Sequence, residues 1–267
     1  MSTLAVFRRE WIGRRNVFLL ALGMGFIQLI GLRFDPDAGT LHDKTTFMAI
    51  ATGTLFAWVV AALFGASMVG RELEERRFAF LLNQPLRPGE IFVGKVAAGL
   101  GLAVLSACVL CLPPVLLGGI WRQLPLKEAS QLFGVWVAGS LVLLLFLHAM
   151  SIQVRSRSPW LVLDLAAWSG FCWGVRALSL KLISAGAFLD MLHLWLLLLV
   201  VVTLGLGLAG YLQVAEGRAD LQRGHRWVSM TLAISLGVAL LVGWARVEWV
   251  LHSQTGTGIQ IGPARIR

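Results

Sequence analysis

The sequence predicts an all-α fold: a polytopic transmembrane helical bundle in which a short N-terminal helix precedes six to seven membrane spans. Three observations carry this prediction. Hydrophobic residues make up 57% of the chain and charged residues 14%, with a mean hydropathy of +0.77, against ~45–50% and ~25% in soluble domains. Seven stretches approach the ~20 apolar residues a helix needs to cross the hydrocarbon core. The charges, net +9, collect in short segments between those stretches. Positive loop charge of that kind sets membrane orientation, which argues against nucleic acid as a partner.

The first element is Thr3–Arg15, a short helix that Ser2 or Thr3 can cap. Leu4, Phe7 and Trp11 share one face, and Arg8, Arg9, Arg14 and Arg15 are long enough to reach anionic headgroups. A plain positively charged flank is the competing reading of the same residues. With no small-residue cleavage site after it, the segment does not have the form of a signal peptide. The spans follow as Asn16–Leu32, Thr46–Val69, Val96–Ile120, Gln131–Val154, Trp160–Val175, Leu189–Leu212 and Trp227–Ala245. Pro113-Pro114 is expected to break the third towards its far end, with Gly118–Trp121 returning along the interface. The fifth is short and interrupted by Asp164. An ionisable residue within a span is a functional candidate, so Asp164 and Arg176 are singled out. Asp164 also lies close enough to the Arg155–Pro159 loop to serve as a helix-start or salt-bridge residue, and Arg176 can snorkel.

Taking the N-terminus as cytoplasmic places fourteen of the 23 lysines and arginines inside, among them Arg71, Arg76, Arg77, Arg87, Lys95, Arg155, Arg157, Arg218, Arg223 and Arg226. Seven spans then put the C-terminus outside; if Trp227–Ala245 lies along the surface, it stays inside. On this layout residues 1–245 form one membrane domain and 246–267 a short extracytoplasmic tail, Gly- and Thr-rich and without expected structure.

Several short patterns resemble catalytic or metal motifs. Gly89–Val96 nearly matches G-x-x-x-x-G-K-[ST], but Val96 replaces the hydroxyl residue that would hold magnesium, and no strand precedes it. Glu74-Glu75 lacks the arginine of an E-E-x-x-x-R protease signature, since Ala79 stands there. Cys108 and Cys111 have C-x-x-C spacing without a second pair to complete a metal site, and the five histidines are scattered. No acid–base or metal constellation emerges, so no enzymatic activity and no cofactor are expected.

The most informative segment is Val69–Lys95, between the second and third spans. Arg71–Leu82 has charge early and apolar residues late, as a cytoplasmic helix docked on a partner would. Asn83-Gln84-Pro85 ends it, Pro88-Gly89 makes a second turn, and the next helix starts at Ile91. Here the chain resembles the membrane subunits of type-2 ABC exporters, which read E-x-x-x-G-T-x-x-x-L-x-x-x-P and then G-K at the start of the third span. Glu72, Leu81, Pro85, Gly94 and Lys95 occupy those positions in register, with Arg76-Arg77 in place of Gly-Thr. The basic segment FRREWIGRRN is similar to the elbow helix that opens such subunits.

The resemblance implies a permease subunit in a bacterial plasma (inner) membrane, paired with a second permease subunit as a homo- or heterodimer. It implies a separate ABC ATPase subunit docked on the 71–91 cytoplasmic loop. In that loop Glu72, Glu74, Glu75, Arg76 and Arg77 would be polar contacts, Phe78, Leu81 and Leu82 apolar anchors, and Pro85 the stop. ATP would be hydrolysed by the other chain. An alternative is a non-transporting membrane partner that recruits or regulates an ATPase. The spans offer no charged binding site, which suits an amphipathic or hydrophobic cargo in contact with membrane lipid. Glu216–Arg226 is expected to be a second inside loop whose charges set topology.

Overall fold

In a computed structural model the described residues are 3–33, 41–69, 73, 86–118, 126–217 and 220–256, and among them the fold is helical without strands. The helices are α1 (Thr3–Gly13), α2 (Asn16–Arg33), α3 (Leu41–Ser67), α4 (Pro88–Gly118), α5 (Leu126–Ser156), α6 (Trp160–Ser184), α7 (Phe188–Leu212) and α8 (Leu221–Gly256), with a π-helical turn at Gln213–Gly217. Six of these helices are long and apolar enough to cross a membrane: Met48–Ser67, Pro88–Leu116, Ala129–Ser156, Trp160–Ser184, Phe188–Gly217 and Leu221–Ser253. The apolar part of α2, Asn16–Gln28, is shorter.

The chain divides into two compact units, one of residues 1–158 with 209–228, the other of 159–208 with 229–267. In the first, α4 is the hub, packing against α1, α2, α3, α5 and the π turn. Small residues make this possible, as they do where helices associate in lipid without a hydrophobic drive between them. A Cβ on Gly65 of α3 would fall on the carbonyl of Leu144 in α5. One on Gly25 of α2 would fall on the carbonyl of Leu110 in α4. Hydrogen bonds reinforce the α3–α5 seam: Trp136 Nε1 donates to Thr54 Oγ1 at 2.8 Å and Ser151 Oγ to the Ala66 carbonyl at 2.6 Å.

Four expectations are corrected at this level. Pro113-Pro114 does not break the third span: α4 continues through both to Gly118. Pro114 has no amide to give the Leu110 carbonyl, and that carbonyl instead faces the bare Cα of Gly25, the kind of neighbour that lets a membrane helix carry proline. Pro88-Gly89 is the first turn of α4 and not a separate turn before Ile91. Pro88 takes the first helical position, and Glu90 Oε2 accepts the Arg87 amide at 2.9 Å, half of a capping box. Asp164 does not interrupt its span; α6 runs unbroken for 25 residues. Of the Glu216–Arg226 segment, residues 221–226 are the first turns of α8, which Asp220 Oδ1 caps by accepting the amides of Gln222 (2.9 Å) and Arg223 (3.3 Å). A Cβ on Gly217 would lie 2.6 Å from the Gly224 Cα, so these two glycines let the π turn close against α8.

The second unit is built from α6 with most of α7 and α8, around Leu178, Leu182, Leu194, Leu198, Ala239 and Val247. The α6–α7 turn is a Schellman motif. Gly186, at φ +73°, donates its amide to the Ile183 carbonyl at 3.0 Å and Ala187 to that of Leu182 at 2.9 Å, and Ala187 and Leu182 share the core. Open space surrounds Gly186, so only its backbone conformation resists substitution. Gly186→Ala is therefore expected to cost ~1 kcal/mol, read as a lowered midpoint of thermal unfolding in detergent. The same end carries two ion pairs to α8, Lys181–Glu248 at 3.0 Å and Arg246–Asp190 at 3.2 Å. Helix α8 is 36 residues long, ~54 Å, and extends to Gly256, so residues 246–256 of the expected tail are helical. Residues 257–267 lie outside the described residues.

Candidate functional site

The first unit gathers its buried charge at the two helix ends that flank residues 68–87. Lys95, two turns beyond the start of α4, is wholly buried, and its Nζ lies 2.6 Å from Oε1 of Glu10, itself 7% exposed on α1. Arg14 extends the cluster. Its Nη2 is 3.8 Å from Glu10 Oε2, its Nη1 donates to Ser67 Oγ at 3.0 Å, and its guanidinium lies 4.2 Å over the Phe64 ring. Helix α1 is thus tied to the first turns of α4 through Glu10, and Arg14, just past its end, reaches the last turn of α3.

Local sequence explains the fit of α1 on α4. A Cβ on Gly94 would stand 2.9 Å from the Thr3 carbonyl and from Val6 Cβ, and one on Gly101 would stand 3.3 Å from Trp11. The two glycines leave a shallow seat into which Val6 and Glu10 turn. Phe7 and Trp11 stack at 5.3 Å beside it, while Leu4 stays exposed. Val6 and Glu10 are the fully buried residues of α1, Phe7 and Trp11 lie partly buried against Gly101, and only Leu4 of the predicted apolar face stands clear. The Gly89–Val96 pattern that resembles a phosphate loop forms the opening turns of α4, and its lysine, Lys95, is held by Glu10.

A second buried group lies in the same unit. His148 on α5 is packed against the Phe92 ring (6.2 Å between centroids) and against Gly210, and among the described residues neither ring nitrogen has a hydrogen-bond partner. Gln213, in the π turn, is fully buried, and among the described residues neither of its amide atoms nor Gln153 Nε2 finds a hydrogen-bond partner. Ser156 Oγ and His225 Nδ1 are hydrogen-bonded to each other. π turns occur often at functional positions, and this one packs on α4.

Of the residues singled out from sequence, Glu72, Glu74, Glu75, Arg76, Arg77, Phe78, Leu81, Leu82 and Pro85 lie outside the described residues. Their neighbour Leu73 is buried and donates its amide to the Val69 carbonyl at 2.9 Å. Asp164 is 3% exposed, on the second turn of α6. Arg176 is exposed on the same helix, 5.9 Å from the Trp173 ring. The structure does not bring these two together, since twelve residues of one helix, ~18 Å, separate them. Sequence reasoning missed Glu10, whose only signal was a lone acid among four nearby arginines, and His148 and Gln213, which had none. Cys108 and Cys111 are free and partly buried, beside Ala57, Val104 and Trp136. Among the described residues no three His, Cys, Asp or Glu side chains converge.

Six long apolar helices and an exterior that exposes Leu19, Val162, Trp173 and Leu204 define a multi-pass α-helical membrane protein. No family model, no curated protein and no solved structure matches the chain at a significant level.

Proposed function

We propose that this chain is the permease subunit of an ATP-driven exporter of the type-2 ABC class. It works as a homo- or heterodimer in a bacterial plasma (inner) membrane, with its N-terminus cytoplasmic, and a separate ATPase subunit docks on the segment between α3 and α4. The observation that supports this reading best is the attachment of α1 and the turn after it to both helices flanking that segment, through Glu10–Lys95 and Arg14–Ser67. A transmitting segment needs rigid attachment where it enters and leaves the bundle. Here both attachments converge on α1 and the residue that follows it, and α4 packs against α1, α2, α3, α5 and the π turn, so a displacement at residues 70–87 would be carried into those helices. The register of Glu72, Leu81, Pro85, Gly94 and Lys95 with the family pattern and the arginine bias towards one side support the same reading.

The test is co-purification and stimulated ATP turnover in lipid with an ABC ATPase encoded in the same gene neighbourhood. Phe78→Ala combined with Leu82→Ala is expected to weaken docking by about tenfold or more, as loss of two apolar anchors does. Glu72 or Glu75 charge reversal is expected to cost less, because rim charges are screened. If the double variant inserts, binds and stimulates like the parent, the coupling assignment fails.

A further inference from the structure

The outer surface of the second unit holds a crevice between α6 and α7 that is neither closed nor uniformly apolar. Its wider part, about 430 Å³, is lined by Cys172, Arg176, Ser179, Leu180, Ile183 and Trp195. A narrower part, about 200 Å³, continues past Phe171, Val175, Leu198, Leu199 and Val202. Phe171, Val175 and Trp195 border both parts. From Ile183 back to Phe171 along α6 the crevice runs ~18 Å, close to the ~15 Å half-thickness of a bilayer's hydrocarbon core.

Its depth follows from the charges of the same unit. Lys181–Glu248 and Arg246–Asp190, all partly exposed, cluster at the α6–α7 turn, and such pairs mark the polar boundary of a span. Arg176 lies five residues, ~7.5 Å, inside Lys181, a distance an arginine side chain can cover towards the headgroups by snorkelling. Trp173 and Trp195, exposed near it, are residues enriched at that interface. Going inward, α6 from Arg176 to Phe171 and α7 from Trp195 to Val202 carry only apolar or small side chains into the crevice. Lys181 and Arg246 are paired with acids, whereas among the described residues no carboxylate pairs with Arg176, which lies 5.9 Å from the Trp173 ring. Ser179 Oγ accepts from Trp195 Nε1 at 3.0 Å, fixing the indole that borders both parts.

We infer that this crevice binds one anionic phospholipid of the surrounding membrane, its phosphate on the Arg176 guanidinium and one acyl chain along Val175, Leu199 and Val202. The charge selects an anionic headgroup, and the groove takes the chain whatever the headgroup. The inference does not depend on coupling to an ATPase.

The experiment uses the purified, delipidated full-length protein, titrated with phosphatidylglycerol or phosphatidylcholine of identical chains and read by native mass spectrometry. The anionic lipid is expected to bind about fivefold tighter, the usual effect of one basic side chain at an anionic surface. Arg176→Gln is expected to erase that preference and Arg176→Lys to retain it, while Leu199→Trp, which fills the inner crevice, weakens both lipids. Circular dichroism and size-exclusion chromatography identify variants that keep the fold; Arg176 and Leu199 are both exposed, so all three are expected to fold. Equal affinity for the two lipids, a preference that survives Arg176→Gln, or no effect of Leu199→Trp would each overturn the proposal. So would disulfide cross-linking of Cys172 between two copies that persists in excess phosphatidylglycerol, because a second copy would then cover the crevice.

Discussion

Glu10→Ala is expected to destabilise the first unit by about 3–5 kcal/mol, the range measured when one partner of a buried ion pair is removed. The reason lies in what remains. Lys95 is wholly enclosed, and losing the carboxylate 2.6 Å away removes the hydrogen-bonded counter-charge of a buried ammonium, which is unfavourable. Glu10→Gln should cost less, since an amide oxygen can still accept a hydrogen bond from Nζ. The double variant Glu10→Leu with Lys95→Met should recover most of the loss, because replacing both members of a buried pair with apolar groups of similar size is often neutral. Reversible unfolding in mixed micelles measures each value, and the cycle gives the coupling. A loss below about 1 kcal/mol for Glu10→Ala, in the range of exposed pairs, would mean the pair is solvated. A fully destabilised double variant would place the stabilisation elsewhere in the seat formed by Gly94 and Gly101.

Gly65→Val is the second large effect, expected at ~3 kcal/mol or more, the upper range for overpacking. A Cβ there would overlap the Leu144 carbonyl oxygen and come within 3.0 Å of the Leu144 carbonyl carbon and Cα. The obstruction is backbone, so no rotamer change relieves it and α3 and α5 must part. Parting strains the Ser151–Ala66 hydrogen bond one residue away and displaces Ser67, the residue Arg14 holds. Gly23→Ala on α2 is the matched control. Nothing lies within 4 Å of its Cβ, so it should be neutral or stabilising by up to ~1 kcal/mol. If Gly65→Val unfolds like the control, α3 and α5 are not in backbone contact.

The fold class and the approximate place of the long helices among the described residues were legible in the sequence, for a reason that is local. In hydrocarbon a backbone must satisfy its own hydrogen bonds, so a sufficiently long apolar stretch has little choice but helix, whatever it packs against. The helix at Thr3–Gly13 falls within the Thr3–Arg15 segment that the sequence marked as a short helix. Boundaries were less legible where a partner decides them. Pro113-Pro114 reads as a break until Gly25 is seen against the Leu110 carbonyl, and Glu216–Arg226 reads as a loop until the Asp220 cap and the Gly217–Gly224 contact are in place.

What the sequence determined by itself is that this protein crosses a membrane with helices, since length and apolarity fix that residue by residue. Only the tertiary structure decided which charges are buried and which surfaces remain open. Glu10 and Lys95 are 85 positions apart, Arg14 and Ser67 are 53 apart, and no local pattern links them. Their pairing follows from the close approach that Gly94 allows between α1 and α4. The division into two units and the crevice bearing Arg176 have the same origin: they depend on how far apart helix axes settle. That distance is set by the small and large side chains that meet across an interface, and by neither helix alone.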